Sequence, residues 1–312
     1  MLTKRTVVLA KIESTYGTDA TPAASDAIDV FDFQIKPSGE KHTRPVYSNN
    51  LSPSKIVIGK KMVEGSFKLE VRGAGAAYSA SVRPDADAVL RACGLAATVV
   101  TTPGSETVTY APASSGFESI TIYAYTDGEI HKVPGSFCSV KTLLSAGQIG
   151  VFEFSFKGLY RTPVDGAIIT PTLLDLQPPI VQSAGLTIGG WAAGVYEKLE
   201  IDIGVELSEK PDINSAGGLK GFAITGRQPA GSMDPLAVTE ATKSFWTNWE
   251  TGVAEALTAT IGSTQYNKMT INAPAVQLSD VAWGERNSER KYDLGLHFAK
   301  NTGDDEFQLV FA

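Results

Sequence analysis

The chain has little with which to do chemistry. Its 312 residues include two cysteines and three histidines. No P-loop, complete G-x-G-x-x-G, H-E-x-x-H, G-x-S-x-G elbow or Cys-x-x-Cys pair occurs in it. Cys93 and Cys138 fall in different predicted elements without metal-ligand spacing, so they read as buried free thiols rather than a disulfide. His42, His131 and His297 fall in a loop, just past a turn and on the polar face of a strand, where solvated side chains are expected. No apolar run approaches the roughly 20 residues that a membrane-spanning helix needs. The start, MLTKRTVVLAKIE, lacks an adequate h-region and a small-residue cleavage site. These absences predict a soluble chain made in a cytoplasm, with no membrane contact, no cofactor, no metal and no enzymatic activity.

A basic stripe is also missing. Residues 1–165 carry 17 Lys and Arg against 16 Asp and Glu, whereas residues 166–312 carry 10 against 18. A pI near 5.1 argues against a protein that grips nucleic acid by its phosphates. It leaves room for one that lets nucleic acid pass, because an acidic surface repels phosphate.

What the chain does have is alternation. In 117–160, Ile120 and Ile122 alternate with polar neighbours, and Phe152, Phe154 and Phe156 alternate with Glu153, Ser155 and Lys157. Period 2 marks strands with one buried face. Asp127-Gly128 supplies the backbone of a tight hairpin turn between Tyr125 and Ile130. Burying the three phenylalanines stabilises a core by about 1.5–3 kcal/mol each. A fainter copy follows at 257–298: Leu257, Ala259 and Ile261, the turn Gly262-Ser263, then Met269 and Ile271. Tyr292, Leu294, Leu296 and Phe298 stand where Phe152 to Phe156 stood. The same preamble precedes each copy: a strand, a polar loop, a second strand and a short helix. The chain therefore reads as mainly β, two tandem β-sandwich domains at 1–165 and 166–312, each with one short helix. A proline-rich link spans about 163–185.

Residues 1–25 have the composition of an arm whose order depends on what it lies against. Strands are expected at 27–35, with Phe31, Phe33 and Ile35 on one face, and at 65–72. Between them, 36–55 is a polar loop too long for a compact domain without a partner, and the first place to look for an intermolecular contact. Helices are expected over PDADAVLRACG, closed by Gly94, and from about 239 to 256, where Phe245, Trp246, Trp249 and Val253 form an apolar stripe. The tryptophans read as core rather than as a sugar platform. From 197 to 207 the alternation is cleanest, with Glu200, Asp202 and Glu206 on the polar face. That row is either a solvated outer face or a surface along a confined path for DNA. Asp304, Asp305 and Glu306 read as a solvated turn rather than a cation site.

The order of these motifs resembles the major tail tube proteins of long-tailed, siphovirus-type bacteriophages in a duplicated, two-domain form. The segments that carry the likeness are KIESTYGTDATP, KMVEGSFKLEVRG, PDADAVLRACGL, FESITIYAYTDGEIHK with FEFSFKGLY, FAITGRQPAG and INAPAVQ. The resemblance implies a structural virion protein of the tail, assembled in the host cytoplasm. Its inner sheets would join between subunits into a β-barrel, and its stacked rings would form the tube for DNA ejection. It further implies a homo-oligomer of three chains per ring, with a hexamer as the alternative. Its partners would be tail-tip and tail-terminator proteins, with tape-measure protein and DNA held weakly in the lumen. By the same likeness Glu200, Asp202, Glu206, Ser66, Lys68 and Glu70 would face the lumen. Lys41, His42, Arg44, Tyr47, Asn49 and Asn50 would touch the next ring, together with the arm and the C-terminal tail. The rival reading is a two-domain carbohydrate-binding or adhesin sandwich.

Overall fold

The computed structural model describes Leu2 and residues 4–312; Met1 and Thr3 of the expected arm lie outside the described residues. In chain order the first half holds β1 (Thr6–Ile12), β2 (Ala27–Ile28), β3 (Val30–His42), β4 (Val57–Glu70), helix α1 (Asp87–Ala92), β5 (Leu95–Val100), β6 (Thr107–Pro112), β7 (Ile120–Thr126), β8 (Glu129–Ser145) and β9 (Val151–Leu159). Then follow β10 (Val164–Asp165), β11 (Thr187–Ile188), β12 (Lys198–Asp202), β13 (Val205–Pro211), β14 (Leu219–Arg227), β15 (Ala230–Met233), helix α2 (Phe245–Thr251), β16 (Glu255–Ile261), β17 (Met269–Arg286), β18 (Glu289–Phe298) and β19 (Gln308–Phe311). No described helix is long and apolar enough to cross a membrane.

Two long strands turn corners. The first part of β8 pairs with β7, and from Phe137 onward the strand pairs with β9. In the same way β17 pairs with β16 up to Val276 and with β18 beyond it. Each strand thus passes from an outer sheet into an inner one and closes a sandwich around apolar side chains. The predicted tight turn is there: Thr126 faces Glu129 across Asp127 and Gly128, both at positive φ. The expected phenylalanine wall is also there, with Phe152, Phe154 and Phe156 at most 1% exposed and Phe67 stacked 5.4 Å from Phe154.

The inner strands form one antiparallel sheet in the order β3-β4-β9-β8-β12-β15-β18-β17. Its middle joint is β8 to β12, where Leu199 lies opposite Leu144 and Asp202 opposite Lys141. The hydrophobic core behind the sheet is continuous through both halves. The C-terminal segment reinforces this, because β19 lies between β6 and β17 with Leu309 and Phe311 buried. Of the two readings the sequence allows for this segment, a last apolar strand or an arm, it is the strand. The proline-rich link is strapped down at intervals, for instance by Asn267 Nδ2 donating to the Gln177 carbonyl at 2.9 Å.

The arm is likewise fixed on its own chain. The buried Glu13 carboxylate accepts from the Gly17 and Gly135 amides at 2.7 Å each, from Ser119 Oγ at 2.6 Å and from Thr121 Oγ1 at 2.7 Å. Four donors gathered on one carboxylate outweigh the cost of burying it. Tyr16 extends the anchor: its hydroxyl donates to the Gly135 carbonyl and accepts from the Phe222 amide at 2.7 Å.

Three local expectations need correction. First, Asp32 at φ 53° makes a bulge in β3, so Phe33 and Ile35 pack on the core whereas Phe31 is turned the other way and 37% exposed. Second, the run from 197 to 207 is not one strand. Gly204, at φ 61°, separates β12 from β13, and a Cβ there would lie 2.4 Å from the Gln228 carbonyl oxygen. Third, helix α2 is only seven residues long, ended by Gly252 in the left-handed region, so Phe245 is buried but Trp249 and Val253 stand 46% and 45% exposed. The tryptophans are thus not uniformly core.

Candidate functional site

Strand alternation puts one set of side chains of the inner sheet on the core and the other set on an opposite, polar face. Ser66, Lys68 and Glu70 of β4 share this face with Glu153, Ser155 and Lys157 of β9, because register pairs them in turn: Ser66 with Ser155, Lys68 with Glu153. Across the middle joint the face continues through Lys141 to Glu200 and Asp202. It then runs over Ser232 and His297 toward β17. Five of the six residues expected to share a lining are therefore brought together. Glu206 is not among them: it lies on β13 beyond the Gly204 break, in a two-stranded sheet, and accepts from Gln228 Nε2 at 2.7 Å.

The face is a lattice of alternating charge rather than an acidic row. Lys68 Nζ lies 3.0 Å from Glu153 and 3.2 Å from Asp32, and Lys141 Nζ lies 2.8 Å from Glu200. The hydrogen bond that Lys68 donates to Glu153, then that to Asp32, raises the Lys68 pKa, and the one that Lys141 donates to Glu200 raises the Lys141 pKa. Both lysines stay cationic throughout the physiological range. Pairs this exposed to water add little to stability, so their main effect is on the field of the surface. A single strand read from sequence shows only its own charges; the lysines that interleave come from β4 and β8.

Two edges of the sheet are open. Among the described residues, β3 pairs with β4 alone, and β17 beyond Val276 pairs with β18 alone. Open edges of this length present rows of unpaired amides and carbonyls, the feature that makes sheets add further strands.

At one end of the sheet the β3–β4 hairpin projects. β3 runs through His42 and β4 starts at Val57, so the loop expected over 36–55 narrows to a tip at 43–56. Lys41 and His42 end the strand, while Arg44, Tyr47, Asn49 and Asn50 lie in the tip. Tyr47 and Leu51 are fully exposed, and Val46 and Ile56 more than half. The shorter β13–β14 hairpin lies alongside, joined through an ion pair of Lys60 with Glu209 and the Lys61 amide donating to the Gly217 carbonyl. At the opposite end, beside the β8–β9 turn, an apolar cavity of 380 Å³ is lined by Leu144, Val181, Leu186, Tyr196, Leu199 and Ala259.

The residues considered for chemistry are otherwise engaged. Cys93 and Cys138 are buried and free, and burial followed by the neighbouring Cys138 pushes the Cys93 thiol well up. Asp305 caps a turn through the amides of Asn301, Thr302 and Gly303, and Asp304 and Glu306 hold Arg227. No group of three metal-ligating side chains occurs among the described residues.

Against this geometry, the family model described as phage tail tube protein matches residues 3–307. The chain belongs to the phage tail tube protein family. No curated protein matches it. Tail tube proteins are structural components of the virion tail that assemble with themselves, and this chain has two open sheet edges and a hairpin tip whose Tyr47 and Leu51 are bare.

Proposed function

We propose that this tail tube protein polymerises into rings of three chains, stacked into a tube of siphovirus type whose bore conducts DNA during ejection. The observation that carries this reading is the repetition within the inner sheet. The order β3-β4-β9-β8 is followed by β12-β15-β18-β17, and in each set the last strand is the one that turns the corner. Residues 1–165 and 166–312 are on this reading two copies of one domain, and one chain does the work of two neighbours.

Three chains give a barrel of 24 strands. At about 4.8 Å between strands and a tilt of about 40°, its wall has a diameter of about 48 Å, wide enough for duplex DNA once side chains are added. Six chains would double the wall and leave the duplex loosely held. The alternating charges of Lys68, Glu153, Lys141, Glu200 and Asp202 would line the bore, and a lattice that neutralises itself offers phosphate no lasting hold. The exposed Tyr47 and Leu51 and the apolar cavity lie at opposite ends of the sheet, which suits a head-to-tail contact between rings; a heterologous contact that does not close produces an open filament. Lys41, His42, Arg44, Asn49 and Asn50 would form the polar rim of that contact. Function follows from assembly, in the host cytoplasm, with tip, terminator and tape-measure proteins as the natural partners.

Negative-stain microscopy of the purified full chain tests the reading. Rings or tubes with three chains per layer are expected. A protein that stays monomeric at every concentration, or rings of six chains, would sink it.

A further inference from the structure

The outer edge of β17 carries an aromatic side chain that the monomer leaves half bare. Trp283 points to the core side of the sheet, stacked on the buried Tyr292 at 4.7 Å and 5.7 Å from Trp246, with the Arg290 guanidinium 5.4 Å from its ring centre. Yet it is 51% exposed, whereas Leu278 and Val281 on the same strand and face are 7% and 8% exposed. The missing cover lies on the side where β17 has no neighbouring strand. A half-buried tryptophan at an unpaired edge is the side chain most enriched at interface hot spots.

The molecule shows what such an edge looks like when covered. At β8, the corner-turning strand of the first set, the core-side residues Val140, Thr142 and Leu144 are 1%, 3% and 4% exposed, because β12 lies alongside and brings Leu199 and Ile201 over them. β12 is the first strand of its set; the first strand of the other set is β3, and its edge is open. Strand direction alternates throughout the sheet, so β3 of a second copy would meet β17 antiparallel with the apolar faces on the same side. There β3 offers Val30 and Phe33, both only partly buried against the core, and Phe31 on the polar side at 37% exposure.

We propose that the open edge of β17 pairs with β3 of a second copy of this chain, and that Trp283 is the anchor of that seam, closed over by Val30 and Phe33. This rests on the tail tube reading above and adds to it the surface by which one chain meets the next. The seam differs from the joint inside the chain. The internal joint is fastened on its polar face by Lys141 with Glu200, while β17 offers Ala282 and Gly284 around its anchor, so the outer seam depends more on aromatic burial.

The test compares the full-length wild type with Trp283→Lys and Trp283→Phe by sedimentation and microscopy, with amide hydrogen exchange on the same samples. Trp283→Lys is expected to keep its melting temperature within a few degrees and to lose rings and tubes; Trp283→Phe is expected to keep them. In wild-type assemblies, amides in 278–286 and 30–35 should exchange more slowly than in the monomeric Trp283→Lys protein. If wild type forms neither rings nor tubes, the tail tube reading itself fails. If wild type assembles but Trp283→Lys assembles equally well, or neither edge gains protection, the seam is overturned and the tube reading stands.

Discussion

The two halves of the inner sheet have the same strand order but fill it with different side chains. The first packs Phe67, Phe152, Phe154 and Phe156 into one aromatic cluster. In the second, Met233, Leu294 and Leu296 occupy the facing strands, and the aromatic residues have moved outward to Phe245, Trp246, Trp283 and Tyr292 around α2. The difference shows that strand order places few demands on core chemistry, provided that volume and alternation are kept. The halves differ at their margins as well: the first carries the long hairpin, the second the aromatic edge.

If the long hairpin alone reaches the next ring, deleting residues 40–52 should abolish tubes while leaving a folded chain. Circular dichroism and microscopy would report both, and normal tubes would transfer the stacking role to the β13–β14 hairpin. The next effect concerns the Glu13 anchor of the first half. Glu13→Ala strips a partner from four donors and should cost about 3 kcal/mol or more. Because the core is continuous, calorimetry should still show one transition; two would mean that the halves melt separately. A finer comparison pairs Phe154→Ala with Leu296→Ala. The first should cost about 3–5 kcal/mol and the second about 2–5, measured by denaturant unfolding, with the aromatic cluster the more sensitive.

The smallest effect is at the joint between the halves. Lys141 has a raised pKa in the folded state, so its contribution is fully present below the unfolded value of about 10.4 and fades as pH rises through the folded one. With 38% of the Lys141 side chain exposed, the pair is worth about 0.5 kcal/mol at most. Wild type should lose its advantage over Lys141→Met above about pH 10.5 in thermal melts, and an advantage that persists at pH 12 would remove the ion pair from the account.

Much of this was legible in the sequence because its signals are local. The alternation of Phe152 to Phe156, the Asp127-Gly128 turn and the short helix ended by Gly94 depend on neighbours along the chain, and the structure has them all. What could not be read depends on neighbours across it. The bulge at Asp32 turned Phe31 outward, and the break at Gly204 took Glu206 off the face that Glu200 and Asp202 occupy. The lysines that interleave with the acidic row lie on β4 and β8, far back along the chain. What the arm lies against could not be read, because its anchor, Glu13, finds its partners at Ser119, Thr121 and Gly135. For the candidate site, the pattern revealed which residues are polar, and only register showed which of them meet.

The placement of β19 sets an order of events. β6, made early, and β17, made late, share no hydrogen bonds, and both wait for residues 308–311 to slot between them. During synthesis the gap between β6 and β17 therefore stays unfilled until residues 308–311 have been made.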